Sequence, residues 1–271
     1  MCGQDEEFCI ASSMSIRSQL RCLCPPFLRK RIRRFLHTFR RELEFLRKRK
    51  LGYVFLKGEG LEIGAFEHSA PLPKRCKTYY VDAISREQAV ELFPEIDPGI
   101  LIAPDYLIDV NQDGLAKFPD DKWDYVIACH VIEHLANPGR FVGELFRVVR
   151  PGGYVVIAAP DKRYTFDRTR PQTELGTLYE FFCNGRSVTP EDYKDISRFV
   201  NTADLELGPA EQKARLDCYY QRREHLSVWT SDNFRTFMAS ALAWNKVQAL
   251  PVYEVDGEKS RFEYFGVWRK L

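Results

Sequence analysis

The stretch GEGLEIGAFEHSAPLPKRCKTYYVD, residues 58–82, decides the fold of this chain. It opens with a short apolar run that turns sharply at Gly64, and after a proline-bounded loop it enters a second run that ends on Asp82. Two strands with a tight turn after the first, and an acid at the end of the second, are typical of a nucleotide-binding α/β domain. The stretch therefore predicts parallel strands with a ligand at their carboxyl ends.

The turn after the first strand bears on the kind of cofactor. A dinucleotide fold needs the pattern G-x-G-x-x-G so that the backbone can approach a pyrophosphate. Here Gly64 is followed by Ala65 and Phe66. A cofactor without phosphates, such as S-adenosylmethionine, needs one glycine where the backbone passes close to it. It also needs an acid for the ribose, and Asp82 follows Glu62 by about twenty residues, as that role requires. The pattern favours a sulfonium cofactor over NAD.

The composition is that of an ordinary globular protein. The 271 residues are 45% apolar and 13% aromatic, which is enough to bury the core of one large domain with a cap. The eight cysteines include no CxxC pair and no Cys/His spacing typical of a zinc or redox motif. No secretory signal opens the sequence, and no run of about 18 apolar residues predicts a membrane span. We therefore expect a cytoplasmic protein with reduced thiols.

Positive charge is concentrated near the start of the sequence. Residues 17–50 carry 13 Lys and Arg against Glu42 and Glu44, whereas the other residues together are negatively charged. Apolar residues recur there at helical spacing, so we predict a basic amphipathic arm over residues 1–50 and a domain over residues 51–271. The arm either packs on the domain edge or contacts an anionic membrane surface. Because no second basic stripe follows, no nucleic-acid partner is predicted.

Asp109 lies near the end of the apolar run 106–110. In a parallel sheet with a ligand across the carboxyl ends of the strands, an acid there can accept from an adenine amino group. The other interpretation is a loop acid that caps a local turn. Its place after Glu62 and Asp82 along the chain favours the first interpretation.

The segment WDYVIACHVIEHL, residues 123–135, is the most informative for chemistry. An apolar strand ends in the pattern HxxEH, and the later run 154–159 predicts a buried parallel strand followed by Asp161. Because the carboxyl ends of parallel strands meet at one edge of a sheet, both strands bring polar side chains, His130 and Asp161, to that edge.

The pattern HxxEH raises the question of zinc. Metalloproteases have the order HExxH, with both histidines on one helix and the glutamate as base. Here the order differs and no third ligand is evident, so the sequence predicts no metal site. His134, one helical turn after His130, is interpreted as structural.

Taken together and in order, LEIGA, YYVD, WDYVIACHVIEHLANP and RVVRPGGYVVIAAPDKRYTFDRTRPQT resemble the class I S-adenosylmethionine-dependent methyltransferases. More narrowly, they are similar to the type 11 group linked to bacterial glycosyltransferases and polysaccharide synthesis. The resemblance covers residues 51–271. It implies an α/β, Rossmann-like fold with a seven-stranded, mostly parallel sheet whose last strand is reversed, S-adenosylmethionine as cofactor, and O-methylation as the reaction.

The resemblance also implies roles for single residues. It assigns the first loop and the methionine end to Glu62, Gly64 and Ala65, the ribose to Asp82, the adenine to Asp109 and Val110, and the amino group to the backbone of Cys129. Phe66 departs from the pattern, because the wider class usually has its second glycine there.

The acceptor site is predicted in a helical cap over residues 162–228, since a segment this long between two strands usually serves function. Aromatic and hydrogen-bonding side chains suit a saccharide with many hydroxyl groups. The candidates in and just after the cap are Arg163, Tyr164, Asp167, Arg168, His225 and Trp229. The alternatives are a helical hairpin that completes the core, a pocket for a small metabolite, lipid or quinone-like phenol, and a non-catalytic scaffold.

Methylation of a sugar hydroxyl requires the removal of a proton, to which a positioned base typically contributes about 10²–10⁴-fold. We predict His130 as this base, because an unperturbed imidazole titrates near neutrality. Asp161 is predicted as its orienting partner or as an alternative base. A magnesium ion held by Asp161 and its neighbours is the other arrangement considered.

Overall fold

The computed structural model describes residues 46–271, so the predictions for the arm over residues 1–45 lie outside the described residues. Seven strands form one sheet. They are β1 (Gly58–Ile63), β2 (Cys76–Asp82), β3 (Tyr106–Leu107), β4 (Trp123–Cys129), β5 (Val149–Pro160), β6 (Ala249–Val255) and β7 (Glu263–Lys270).

The order of the strands across the sheet is β3-β2-β1-β4-β5-β7-β6. The first five strands in this order are parallel to one another. Strand β7 runs antiparallel to both β5 and β6. The predicted fold, a mostly parallel Rossmann-like sheet with a reversed last strand, is confirmed.

The described residues also form helices. They are α1 (Arg86–Leu92), α2 (Pro138–Val148), α3 (Leu175–Asn184), α4 (Lys194–Phe199), α5 (Pro209–Arg222), α6 (Ser231–Trp244) and α7 (Gly257–Ser260), and residues 46–53 are also helical. Within residues 46–271, no helix combines the length and the apolar character that are needed to cross a membrane.

One local prediction, that a helix opens at the pattern HxxEH, differs from the structure. The pattern HxxEH opens only a single 3-10 turn, Ile132–His134, and the helix begins later, at Pro138. Asn137 caps that helix by accepting from the backbone N–H of Arg140, and a proline at the first helical position fixes where it starts.

One face of the sheet packs against α2 and α6 through a large apolar cluster that includes Phe141, Leu145, Phe234 and Phe237. The opposite face packs against residues that include Tyr53, whose ring meets Phe265 edge to face at 5.6 Å. Because β4 is buried from both sides, its sequence reads as a continuous apolar run.

Residues 46–50, which the sequence analysis placed in the arm, pack on this second face. The guanidinium of Arg49 binds the Glu263 carboxylate through two hydrogen bonds, and the Tyr253 hydroxyl donates to the Lys48 carbonyl. These residues therefore contribute to the domain.

The segment 162–228, which is predicted to form a cap, contains α3, α4 and α5. It has an apolar cluster of its own, formed by Tyr193, Ile196, Leu216, Tyr219 and Leu226. The hydroxyls of Ser197 and Tyr219 both donate to the buried carboxylate of Asp204. The segment thus has an internal core in addition to its contacts with the sheet.

Candidate active site

A cavity of about 470 Å³ opens at the carboxyl ends of the parallel strands. Three of the predicted cofactor residues, Gly64, Asp82 and Val110, line it, and so do His130 and His134. Parallel sheets bind ligands at this edge, where the strands end and the chain turns away. The predicted location of the cofactor site therefore coincides with a real cavity.

Gly64 forms the sharp turn after β1. Its φ of +66° lies in the left-handed region, and a Cβ added there would come within 2.7 Å of the Val131 side chain. Its N–H donates to the carbonyl of Val81 at the end of β2. Only glycine satisfies both the backbone conformation and the close approach.

Phe66, the position at which the resemblance implies a second glycine, also adopts a positive φ, +49°. Left-handed backbone is uncommon for a bulky residue and is strained. Two contacts hold it: the Phe66 carbonyl accepts from the N–H of Ile102, and its ring packs edge to face on Phe93 at 5.0 Å. The loop therefore keeps the backbone that a glycine would give, with an aromatic ring on the cavity wall.

Asp82 ends β2 with its carboxylate beside the cavity. One oxygen, Oδ1, accepts from the N–H groups of Ala83 and Ile84 at 2.7 and 3.4 Å. No hydrogen bond from the described residues reaches Oδ2. Burial raises the pKa of Asp82, although it has these backbone donors. An oriented carboxylate with one spare oxygen at a strand end suits a ribose diol.

Glu62, Ala65 and Cys129 are not among the residues that line this cavity. Glu62 is 4% exposed; one of its oxygens accepts from the N–H of Ala70 at 2.8 Å, and the other has no hydrogen-bond partner among the described residues. Burial raises the pKa of Glu62 to about 7. The Glu62 side chain therefore fixes the loop after β1 through its hydrogen bond with Ala70.

Asp109 does not face the cavity as predicted. Both of its oxygens bind Arg223, which directly follows α5, at 2.9 and 2.7 Å. A guanidinium matches a carboxylate through two parallel hydrogen bonds, and this geometry makes the pair strong. The predicted contact of Asp109 with adenine is replaced by a contact that joins the cap to the sheet.

His130 follows β4 with a φ of +57° and lies between two carboxylates. Its Nε2 is 2.6 Å from Glu263, its Nδ1 is 3.4 Å from Glu133, and its ring stacks on Phe262. Burial lowers the pKa of His130, but the two carboxylates outweigh burial and raise it to about 9. This is the environment of an imidazolium cation, and it does not suit the predicted general base.

Asp161 was predicted to orient His130, and this prediction is wrong. The Asp161 carboxylate is fully buried; Oδ1 accepts from Arg163, and Oδ2 accepts from the backbone and hydroxyl of Ser231 and from Arg163. Both oxygens are therefore already used, which leaves no place for a magnesium ion. The residue that holds His130 is Glu263.

Glu133 lies at the centre of a group that we call the histidine cluster. Its carboxylate is completely buried, and neither oxygen has a hydrogen-bond partner among the described residues. Histidine nitrogens approach Oε1 from three sides, at 3.4 Å from His130 and 3.9 Å each from His134 and His225. The histidine cluster consists of His130, Glu133, His134, His225 and Glu263.

Sequence reasoning missed Glu133 and Glu263 as site residues. Glu263 is separated from His130 by 133 positions, so no local pattern joins them. The one available signal was an acid within the otherwise apolar stretch that begins β7, because a buried acid needs a partner.

The predicted acceptor residues separate into buried and exposed groups. Trp229 is 1% exposed and stacks on Phe237 inside the main core, so its predicted contact with a substrate is wrong. His225 is also buried, with Nδ1 2.6 Å from Asp167. Large aromatic rings gain most from complete burial, and a sequence position after a cap does not reveal this.

Three predicted acceptor residues remain at the surface just after β5: Arg163, Tyr164 and Arg168. Two guanidinium groups lie over the Tyr164 ring, with Arg163 Cζ 5.7 Å and Arg261 Cζ 5.5 Å from its centre. This arrangement places aromatic and cationic groups together at the carboxyl edge of the sheet.

Comparison with known proteins identifies the family. A family model described as a methyltransferase domain matches residues 27–241. A protein of Mycolicibacterium smegmatis named "Probable S-adenosylmethionine-dependent methyltransferase" is 42% identical over 84 residues, which are 30% of this chain and 32% of that protein. The "Ubiquinone biosynthesis O-methyltransferase" of Rickettsia conorii is 25% identical over 64% of this chain and 55% of its own length.

Among solved structures, an S-adenosylmethionine-dependent methyltransferase of Aquifex aeolicus is similar, with a TM-score of 0.42 and 15% identity over 94% of this chain and 98% of that one. The chain spans between about a third and just over half of the length of the two curated relatives. The family match covers most of the sequence, and it agrees with the sheet order and with the cavity at its carboxyl edge. The chain belongs to the methyltransferase-domain family.

Proposed function

We propose that this protein transfers a methyl group from S-adenosylmethionine to a hydroxyl oxygen of a saccharide. The observation that carries the proposal is the cavity at the carboxyl ends of the parallel strands, where Gly64 admits close approach to the backbone and Asp82 presents a carboxylate. The name of the M. smegmatis relative supports the choice of cofactor, and the names of the Rickettsia relatives support transfer to oxygen.

The residues of the cavity fit this cofactor. Asp82 would accept from the ribose hydroxyls, the turn at Gly64 would receive the methionine end, and Val110 would contact the adenine. When bound, the cofactor supplies an electrophilic methyl group on a sulfonium. The protein's own contribution is to hold the two reactants in line and to exclude water, and positioning of this kind accounts for much of the acceleration in such displacements.

The surface after β5 supports a saccharide as the acceptor. The aromatic rings of Phe166 and Phe262 are 49% and 40% exposed. Tyr164 and Phe262 belong to loops that are far apart in sequence. The hydrogen bond from Arg261 to the Tyr164 hydroxyl joins these two loops. Aromatic faces pack on the apolar faces of sugar rings, and guanidinium groups donate to hydroxyl or acidic oxygens.

Titration calorimetry with S-adenosylmethionine and S-adenosylhomocysteine tests the cofactor site. Asp82→Asn should weaken both by about 10–100-fold, because a hydrogen bond to a charged group contributes about 1.5–3 kcal/mol. The matched control is Asp232→Asn, since that side chain is 78% exposed and lies outside the cavity lining. Equal affinities of the two variants would mean that Asp82 does not hold the ribose, and no binding by the wild type would favour a scaffold without catalysis.

The acceptor class is tested separately, by incubating the protein and labelled cofactor with saccharides and with catechol-type phenols. A saccharide that gains one methyl group supports the proposal. Tyr164→Ala should then reduce kcat/KM for that saccharide without changing cofactor affinity, whereas Tyr179→Ala, at an exposed ring on α3, should have no effect. Methylation of phenols alone would leave the cofactor proposal intact and replace the acceptor, as the Rickettsia relatives' names suggest.

A further inference from the structure

The Glu133 carboxylate is the least explained polar group in the described part of the molecule. It is 0% exposed, and both of its oxygens are without a hydrogen-bond partner among residues 46–271. The backbone around it is well held, since the Glu133 carbonyl accepts from the N–H groups of Leu226 and Ser227. A buried carboxylate is costly unless it is paired with a cation, hydrogen-bonded or bound to a metal.

The hydrogen bonds of two neighbouring histidines decide which of their nitrogens carry protons. His134 Nδ1 lies 2.5 Å from the carbonyl oxygen of Arg223, which can only accept, so Nδ1 carries a proton. His225 Nδ1 likewise donates to the Asp167 carboxylate, which Arg170 holds in place at 2.9 Å. When the rings are neutral, the other nitrogen of each, Nε2, has a free lone pair.

Both of these Nε2 atoms face the same oxygen of Glu133. Each lies 3.9 Å from Oε1, too far for a hydrogen bond. Two lone pairs and a carboxylate oxygen thus surround one point in a buried region. Such a group of electron-rich atoms repels itself unless a cation lies between them.

We propose that Glu133, His134 and His225 bind a divalent transition-metal ion, with Zn²⁺ as the first ion to test. Their ligand atoms all lie within 4.8 Å of one another. Zinc binds nitrogen and carboxylate oxygen at about 2.0–2.2 Å, so tetrahedral ligands lie roughly 3–4 Å apart, and a small contraction would complete the site. Two histidines and one carboxylate are a common ligand set for zinc and for non-haem iron.

The outer hydrogen bonds match those of known metal sites. Metal-binding histidines usually donate their second N–H to a carbonyl or a carboxylate, which fixes the orientation of the ring. Here the Arg223 carbonyl serves His134 and the Asp167 carboxylate serves His225. The third ligand that the pattern HxxEH lacks in the sequence is supplied by His225, from the end of the cap.

The position of the site gives the ion a use. His134 lines the cavity proposed for the cofactor, whereas His225 belongs to the cap, so the ion would connect the cap to the sheet. An open coordination position towards the cavity would polarise an acceptor hydroxyl and assist its loss of a proton. Metal binding at this site does not depend on the acceptor class, and it can be measured without an activity assay.

The rival explanation is that His130 alone compensates the carboxylate as an imidazolium, since its Nδ1 lies 3.4 Å from Oε1 of Glu133. The two explanations differ in what the protein binds. A cation site has a stoichiometry and depends on His134 and His225, whereas compensation by His130 requires no metal.

The experiment uses the full chain without a histidine tag, freed of metal by a chelator and then titrated with Co²⁺ and Zn²⁺. We expect one equivalent per chain, with the weak visible bands of cobalt bound to nitrogen and oxygen. Glu133→Gln, His134→Gln and His225→Gln should each weaken binding by at least about 100-fold, because loss of an outer partner alone typically costs 10–100-fold. His68→Gln, whose side chain is 84% exposed, is the control.

Thermal unfolding in chelator and in Zn²⁺ separates loss of the site from loss of the fold. Glu133→Gln replaces the buried charge with an amide of the same shape, so this variant should fold without metal and should not be stabilised by Zn²⁺, unlike the wild type. Absence of stoichiometric binding by the wild type would overturn the proposal. So would equal binding by the folded Glu133→Gln variant, or a spectrum dominated by cysteine thiolate.

Discussion

The two walls of the site are built in different ways. On the cofactor side, the shape comes mainly from the main chain, with positive φ angles at Gly64 and Phe66 and one carboxylate at the end of β2. On the other side, the histidine cluster holds two buried carboxylates, the buried imidazole of His225 and the half-buried imidazoles of His130 and His134, which come from the end of β4, the cap and β7. We call the first side, formed by Gly64, Phe66 and Asp82, the cofactor wall. Its residues are close together in sequence, whereas those of the histidine cluster are far apart.

This difference has an energetic consequence. A wall made of backbone turns depends on a few conformations, each of which costs about 1–3 kcal/mol when strained. A buried charged group depends on its partners, and removal of one partner leaves another charge uncompensated, at about 3–5 kcal/mol. We therefore expect substitutions in the histidine cluster to destabilise the protein more than substitutions in the cofactor wall.

The largest effect is expected for Glu263→Gln. Glu263 is 0% exposed and binds Arg49 through two hydrogen bonds, at 2.8 and 2.6 Å, and His130 through one. The neutral amide removes a buried carboxylate that pairs with two partly buried cations, so the free energy of unfolding should fall by about 3–5 kcal/mol. Chemical denaturation monitored by circular dichroism measures this change.

The control for this substitution is Glu258→Gln, because Glu258 is an exposed acid in the first turn of α7, only five positions away. It should change the free energy of unfolding by less than about 0.5 kcal/mol. If Glu263→Gln lowered the free energy of unfolding as little as this control does, pairing of buried charges would not be the main stabilisation of the histidine cluster.

A second prediction concerns Glu62, a buried carboxylate next to the cofactor wall. Burial raises the pKa of Glu62 from its ordinary value of 4.5 to about 7, so the folded protein binds a proton there more tightly than the unfolded chain does. The stability from this proton is complete below pH 4.5 and is lost as the pH rises to about 7. Glu62→Gln keeps the neutral form at every pH.

We therefore expect the stability of Glu62→Gln relative to the wild type to increase by about 2–3 kcal/mol between about pH 5 and about pH 8. Denaturant unfolding of both proteins across this range measures the difference, and buffers of constant ionic strength exclude screening effects. A difference that does not vary with pH would mean that Glu62 is ionised in the folded protein and has found a partner.

The sequence predicted two residues that line the cavity, Gly64 and Asp82, for a physical reason. Turns and strand ends are determined by neighbouring residues, so the glycine at position 64 and the acid at position 82 could be recognised together. The apolar runs in β4 and β5 also predicted the parallel sheet, because strands buried on both faces are mainly apolar. The final antiparallel pair was predicted too, although its connection contains α7 rather than a tight turn.

The other wall could not be predicted in the same way. Which acid pairs with His130 depends on the sheet order that places β7 near β4, and which histidine meets Glu133 depends on the fold of the cap. Asp161 and Trp229 were misassigned for a related reason. A polar or aromatic residue after a strand can face either the site or the interior, and only packing decides between them.

The smallest of the expected effects tests the cofactor wall with a pair of glycines. Gly64→Ala introduces a Cβ within 2.7 Å of Val131 at a φ of +66°, so we expect a loss of about 1–3 kcal/mol in the free energy of unfolding and weaker cofactor binding. Gly176→Ala, in α3, meets nothing within 4 Å and should stabilise the protein by about 0.5–1 kcal/mol. Opposite signs from the same added methyl group would show that backbone conformation forms this wall, whereas equal signs would assign its stability to side-chain packing.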